Sequence, residues 1–232
     1  MSRMRAAADR YEMIKDGDRI AVGVSGGKDS LALLYALAGL RRFYPAHFDI
    51  VAVTADPAFN NEQADLSEIE KLCKELDVEY IIKRTELYHI IFETRKESNP
   101  CSLCARMRRG ILHDAAKEAG CNKLALGHHM DDAAETFMMN LLSGGTIGSF
   151  RPVTYLSRKD LYVIRPMIFA TEKEVSSAAA RAKLPVIKSE CPMDRESERE
   201  QIKQKLCQRE KEYPHLKEKI IGAMQKAEIT GW

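Results

Sequence analysis

Three short stretches of this chain carry residue types at spacings that could do chemistry. In the first, Ser25-Gly26-Gly27-Lys28-Asp29-Ser30, two adjacent glycines allow a turn whose backbone amides face inward without Cβ interference. A lysine follows at once, so the segment suits a polyanion. In the second, Pro100-Cys101-Ser102-Leu103-Cys104-Ala105-Arg106-Met107-Arg108-Arg109-Gly110, two soft thiols sit three residues apart beside three guanidiniums. Such a C-x-x-C pair fits zinc, an iron–sulfur cluster or a redox dithiol. In the third, Gly127-His128-His129-Met130-Asp131-Asp132-Ala133-Ala134-Glu135-Thr136, adjacent carboxylates are placed to hold a hard divalent cation against phosphate oxygens. Asp131 and Asp132 would also complement a helix dipole, and the two histidines lack a third zinc ligand at a sensible spacing.

The elements around these stretches determine whether they can meet. Ile20-Ala21-Val22-Gly23-Val24 reads as a strand buried on both faces, because it is apolar without alternation. Ser30 to Leu37 then starts a helix, aiming its positive dipole end at the glycine turn. Phe48 to Val53 is a second strand, stopped by Asp56-Pro57, Val78 to Lys83 a third, and Leu124 to Gly127 a fourth. Helices are expected over residues 2 to 16, Asn61 to Leu76 and from the capping box Thr171-Glu172-Lys173-Glu174 to Pro185. Alternating strands and helices imply an α/β fold with a parallel sheet and helices on both faces. Ligands in such sheets bind beyond the carboxyl ends of the strands, where Ser25, Thr54 and His128 are expected. Val153 to Leu156 and Leu161 to Ile164 form an edge hairpin or two extended pieces. A charged helical tail follows from Asp194, interrupted at Pro214. The division expected is a domain over 1–190 and a helical tail over 191–232 packed upon it.

With 232 residues, 45% hydrophobic and 30% charged, the composition is that of a soluble protein with a sizeable core. No apolar run reaches the ~20 residues of a membrane span, and the start lacks a secretory h-region. A cytoplasmic location and no membrane partner are therefore expected. Residues 151–232 hold 17 Lys/Arg against 12 Asp/Glu, a mildly basic balance that suits a polyanionic partner or a solvated helical surface. Six cysteines without a secretion signal favour metal or redox chemistry over disulfides. Cys73 and Cys121 read as buried thiols. With no second C-x-x-C, the best third partner for Cys101 and Cys104 is Cys191, on a loop after the sheet, with Cys207 the runner-up. Three thiolates on a 4Fe–4S cluster would leave one iron open to hydrosulfide.

The Walker spacing and the dinucleotide G-x-G-x-x-G are both absent. Ser25 to Ser30, S-G-G-K-D-S after a strand, resembles the PP-loop of the ATP pyrophosphatases. That superfamily cleaves ATP between its α and β phosphates and activates a carbonyl or carboxyl oxygen as its adenylate. Taken with P-C-S-L-C-x-R-x-R-R-G, L-G-H-H-x-D-D-x-x-E-T and the end Tyr213-Pro214 through Ala223-Met224-Gln225, the chain is similar to the tRNA 2-thiocytidine synthetase family over nearly its whole length. The family's frequent second C-x-x-C at the third cysteine is reduced here to Cys191-Pro192.

The resemblance implies ATP and Mg²⁺, tRNA as partner, a sulfur donor (a cysteine desulfurase or free sulfide), a homodimer, and a 4Fe–4S cluster on Cys101, Cys104 and Cys191. It places ATP along Val24, Ser25, Gly26, Gly27, Lys28, Asp29 and Ser30, and beside Val53, Gly127 and Asp132. Asp29 and Asp132 would hold Mg²⁺, and Lys28 and Arg108 would stabilise charge on the phosphates. Arg108 shares the helix face of Cys104, while Arg106 and Arg109 are free to contact RNA. The expected activity is ATP-dependent thiolation at C2 of a loop cytidine, since the base must be splayed from its stack. The alternatives are a ligase of the lysidine-forming type, which gives the cysteines no role, and a zinc-holding nucleotide- or RNA-binding protein without catalysis.

Overall fold

The computed structural model describes residues 1–95, 100–188, 190–191 and 198–232. Strands without polar alternation need cover on both sides, and the central strands have it. In β1 (Asp18–Gly23) and β2 (Phe48–Asp56), Ile20, Val22, Ile50 and Ala52 face a core built with α2 (Lys28–Arg41). Ala21, Val51 and Val53 face the opposite layer, where Ala115 and Ala116 of α4 (Pro100–Glu118) cover them. The small residues on this second face leave room for a helix to lie on the sheet, and α4 carries two of the cysteines and Arg108 across it.

The sheet has six strands in the order β3-β2-β1-β4-β6-β5. β3 (Glu79–Arg84), β2, β1, β4 (Lys123–Ala125) and β6 (Leu161–Ile164) run parallel, and β5 (Val153–Leu156) is the antiparallel edge. The segments expected as an edge hairpin are one, but β6 also pairs with β4, with Leu124 opposite Val163. The hairpin thereby extends the sheet. The expected α/β class with helices on both faces is what the chain adopts.

Element ends differ from the sequence reading where long-range contacts decide them. The first helix, α1 (Ser2–Arg10), stops at Arg10, and the next stretch turns through Glu12 at φ 46°. The helix expected from Asn61 is a short 3₁₀ turn, Phe59–Asn61, followed by α3 (Ser67–Glu75). Thr54 lies inside β2 rather than beyond it. Its hydroxyl donates to the Val24 carbonyl at 2.8 Å and is also 2.8 Å from the Tyr80 hydroxyl. The capping box at Thr171 is formed, with Glu174 N–H donating to Thr171 Oγ1 at 3.2 Å. Helix α6 (Glu172–Arg181) ends four residues before Pro185, with Lys183 at φ 51°.

α5 (Met130–Leu142) follows β4, and the tail helices α7 (Glu198–Glu212) and α8 (Leu216–Lys226) both pack against it. Asp194, the expected start of that tail, lies outside the described residues, as do Ser189 and Pro192 beside Cys191. Among the described residues no helix is long and apolar enough to cross a membrane.

Candidate functional site

The glycine turn closes on itself through hydroxyls. Ser25 N–H donates to Ser30 Oγ at 3.0 Å, Ser30 Oγ donates to the Gly27 carbonyl at 2.9 Å, and Gly27 N–H donates to Ser25 Oγ at 3.4 Å. Gly27 caps α2, so the loop lies at the positive end of a 14-residue helix. Gly26 sits at φ +82°, where L side chains are strained, and a Cβ there would come within 3.3 Å of Ile187. Ile187 N–H donates back to the Gly26 carbonyl at 2.9 Å, tying the loop before Cys191 to the turn. Lys28 Nζ is 3.0 Å from both Asp29 oxygens and 3.3 Å from Glu172 Oε1. Burial works against the Lys28 charge, but Asp29 and Glu172 outweigh it and hold its pKa above the ordinary lysine value.

The β4–α5 turn presses against the same place. Asp29 and Ser30 backbone atoms lie 3.1 Å from where a Cβ on Gly127 would be, so a side chain there would press this backbone back by a few tenths of an ångström. His129 caps α5: Asp132 N–H donates to its Nδ1 at 3.4 Å, and His129 N–H donates to Asp132 Oδ2 at 2.9 Å. The adjacent carboxylates part company. Asp132 lines a cavity of about 250 Å³ with Ser25, Asp29, Arg108 and His128. Asp131 is buried and already engaged, accepting Lys217 Nζ at 2.7 Å and Glu172 N–H at 2.7 Å. Of the two carboxylates expected to hold a cation, only Asp132 is presented, and Asp29 joins it. Half-buried His128 packs on Phe150 with ring centroids 4.9 Å apart and has a sealed Nδ1 without a hydrogen-bond partner among the described residues. Burial, then the charges of Arg165 and Arg199, push its pKa down to about 3, so it is neutral.

A second cavity, of about 480 Å³, has Ser25, Gly27 and Thr54 on one wall and Cys101, Cys104 and Cys191 on another, with Arg108 lining both cavities. Burial raises the thiol pKa of Cys101 and Cys104, and nearby Cys191 raises both further, while Arg108 pulls Cys104 the other way. The expected pairing of Arg108 with Cys104 on one helix face is observed. Among the described residues no three His, Cys, Asp or Glu side chains close into a metal-ligand set, so the cysteines share a wall rather than a cage. Cys207 is exposed on α7 with its Sγ 4.0 Å from Lys217 Nζ, and it lines neither cavity. Cys73 and Cys121 are buried, as expected. Val24 lines the smaller cavity. Val53, Gly26 and Lys28 line neither, and Val53 is fully buried with its carbonyl accepting Val24 N–H at 2.8 Å.

Similarity to known proteins agrees with this geometry. Residues 2–210 match the family model of the PP-loop domain. The chain is 40% identical over 223 residues to the tRNA-cytidine(32) 2-sulfurtransferase of Geobacter sulfurreducens, covering 95% of this chain and 86% of that one. It is also 40% identical over 217 residues to the tRNA-cytidine(32) 2-sulfurtransferase of Syntrophotalea carbinolica, covering 92% and 83%. The chain belongs to the tRNA 2-thiocytidine synthetase family of PP-loop proteins. Among solved structures, the U34-tRNA thiolase NcsA from Methanococcus maripaludis with its [4Fe-4S] cluster superposes with a TM-score of 0.81 at 27% identity, over 97% of this chain and 77% of that one.

Two groups at this family site were not singled out from the sequence. Glu172 reaches Lys28 across 144 positions, and its only sequence signal was membership of a capping box. Glu135 stands in the sequence only as part of a motif, yet it is buried, its Oε1 has no hydrogen-bond partner among the described residues, and burial, then the Asp132 charge, raise its pKa to about 7.

Two outcomes follow from these contacts. Gly127→Ala must push backbone at Asp29, so it should weaken ATP binding by about tenfold or more while lowering stability by about 1–3 kcal/mol; calorimetric titration and thermal melting check both. For Glu135 the folded pKa lies above the unfolded one, so stability is full below about pH 4.5 and falls as pH rises toward about 7. Glu135→Gln should remove that decline, gaining about 1–3 kcal/mol over the parent at pH 8 and nothing at pH 4. Urea unfolding at the two pH values measures the difference.

Proposed function

We propose that this protein is an ATP-dependent tRNA sulfurtransferase that replaces the C2 oxygen of a loop cytidine with sulfur. The observation that carries the reading is a single cavity lined by both the PP-loop and the three cysteines, the arrangement expected if ATP and sulfur are handled side by side. The named activity of the relatives, at cytidine 32, supports the same base. ATP would lie along Val24 to Ser30 and beside Gly127, with Mg²⁺ held by Asp29 and Asp132, whose carboxylates line one cavity.

In the proposed reaction the cytidine carbonyl oxygen attacks the α-phosphorus and the bond to pyrophosphate breaks. Lys28, Arg108 and the amides of the glycine turn stabilise the charge that collects on the leaving group. Hydrosulfide then adds at C2, and AMP departs with the original oxygen, leaving a thiocarbonyl after loss of the sulfur proton.

Cys101, Cys104 and Cys191 would hold a 4Fe–4S cluster. Their chemistry fits: three cysteines, the usual protein ligands of iron–sulfur clusters, line one cavity. NcsA, whose structure was solved with such a cluster, supports the assignment. When bound, the cluster would supply an iron open to hydrosulfide, furnished as free sulfide or by a cysteine desulfurase whose persulfide sulfur a thiol reductant releases as hydrosulfide. The tail beyond residue 191 is proposed to pack on this domain as part of one unit.

Mass spectrometry of tRNA nucleosides from cells lacking the protein should show loss of 2-thiocytidine, restored by the parent gene and not by Asp29→Ala. Persistence of 2-thiocytidine overturns the reading. For the ligands, Cys191→Ala and Cys207→Ala purified anaerobically should separate cleanly: the first loses most iron and acid-labile sulfide, the second keeps both. Iron loss only in Cys207→Ala moves the third ligand, and zinc without labile sulfide in the parent removes the cluster.

A further inference from the structure

Glu172 opens α6 and stands where three charged elements meet. Its Oε1 accepts Lys203 Nζ from α7 at 2.7 Å and Lys28 Nζ from the PP-loop at 3.3 Å. Its backbone N–H donates to buried Asp131, which is itself paired with buried Lys217 of α8. The start of α6 is therefore fixed by the interior, and the Glu172 side chain, 23% exposed, reaches from it to the two lysines. Lys28 lies between two carboxylates, with Asp29 on its other side, and it lines neither cavity. An ammonium that is to grip phosphate must be surrendered by at least one of these partners. Glu172 is the more readily surrendered, since its contact with Lys28 is longer and its closer partner is Lys203.

We propose that Glu172 is a positioning residue that holds the PP-loop lysine away from the phosphates until ATP arrives, with Lys203 of the tail helix setting how firmly it holds. This rests on the reading of Lys28 as a phosphate ligand. One carboxylate oxygen shared by two ammoniums divides its attraction between them. Remove Lys203 and the whole charge of Glu172 falls on Lys28, and also faces the incoming triphosphate uncompensated. Remove the charge of Glu172 and Lys28 is released to the anion. Burial works to raise the Glu172 pKa, but the hydrogen bonds and charges of Lys203 and Lys28 bring it down to about 2, so the group is an anion throughout the working range.

The two substitutions therefore act with opposite sign, which a merely structural network would not produce. In the full-length, anaerobically purified protein with Mg²⁺, calorimetric titration of ATP should give a Kd about three- to fivefold lower in Glu172→Gln and about three- to fivefold higher in Lys203→Ala, as expected of half-exposed charge pairs. In the Glu172→Gln background, Lys203→Ala should change nothing, because its effect runs through that carboxylate. In a Lys28→Ala background, Glu172→Gln should cease to tighten ATP. Lys203→Gln, which leaves the start of α6 untouched, should weaken ATP binding as Lys203→Ala does, and it serves if Glu172→Gln melts early. Weaker or unchanged ATP binding in folded Glu172→Gln overturns the proposal, as does a Lys203→Ala effect that survives in the double variant. Parent-like ATP binding by Lys28→Ala instead overturns the phosphate role of Lys28 on which the proposal stands.

Discussion

The site depends on a carboxylate that never faces it. Asp131 is buried at the start of α5, where one oxygen accepts Lys217 and the other accepts the first N–H of α6. The ion pair draws the end of the chain against the β4–α5 turn, and the hydrogen bond fixes the start of α6 beside the PP-loop. Taking either partner away would strand a charge in the interior, a loss of about 3–5 kcal/mol where such pairs have been broken. Three segments far apart in sequence are thereby indexed to one turn. That turn presents the neighbouring Asp132 to the cavity and brings Gly127 against Asp29.

A second constraint acts from the loop side. The Gly26 carbonyl accepts Ile187 N–H at 2.9 Å, and a Cβ on Gly26, already strained at φ +82°, would press on the Ile187 side chain at 3.3 Å. Residues approaching Cys191 are thus anchored to the nucleotide turn itself. Cys101 and Cys104 arrive from the other direction on α4, which lies across the sheet on Ala115 and Ala116. Two independent routes through the chain end on the larger cavity, and Arg108 stands on the border between it and the smaller one.

Much of this was legible in the sequence because it is local. The unalternating apolar runs marked strands covered on both faces, S-G-G-K-D-S marked a turn at a helix start, and Thr171 with Glu174 marked a capping box that is formed. What was not legible is where distant segments land. Asp131 and Asp132 are chemically identical and adjacent, but a helix turns them about 100° apart, so one meets Lys217 and the other meets the cavity. Thr54 was expected beyond its strand, but pairing with β3 continues as far as Asp56 and Arg84 and keeps it inside. The fate of the Val153–Ile164 hairpin likewise depended on whether β4 offered an open edge, which no local pattern records.

The charge layout also constrains the order of events in the proposed reaction. Asp29 and Asp132 would repel a triphosphate, and Lys28 is engaged with Asp29 and Glu172. A bare ATP entering this site would meet two carboxylates with their nearest lysine occupied. On the reading proposed above, Asp29 and Asp132 would be the ligands of a divalent cation that comes with ATP, and Asp29 would then have less charge to offer Lys28. The ammonium would then be held chiefly by Glu172, whose charge is already shared with Lys203. The tail helix α7 would thus bear on the freedom of the PP-loop lysine through the Lys203 nitrogen.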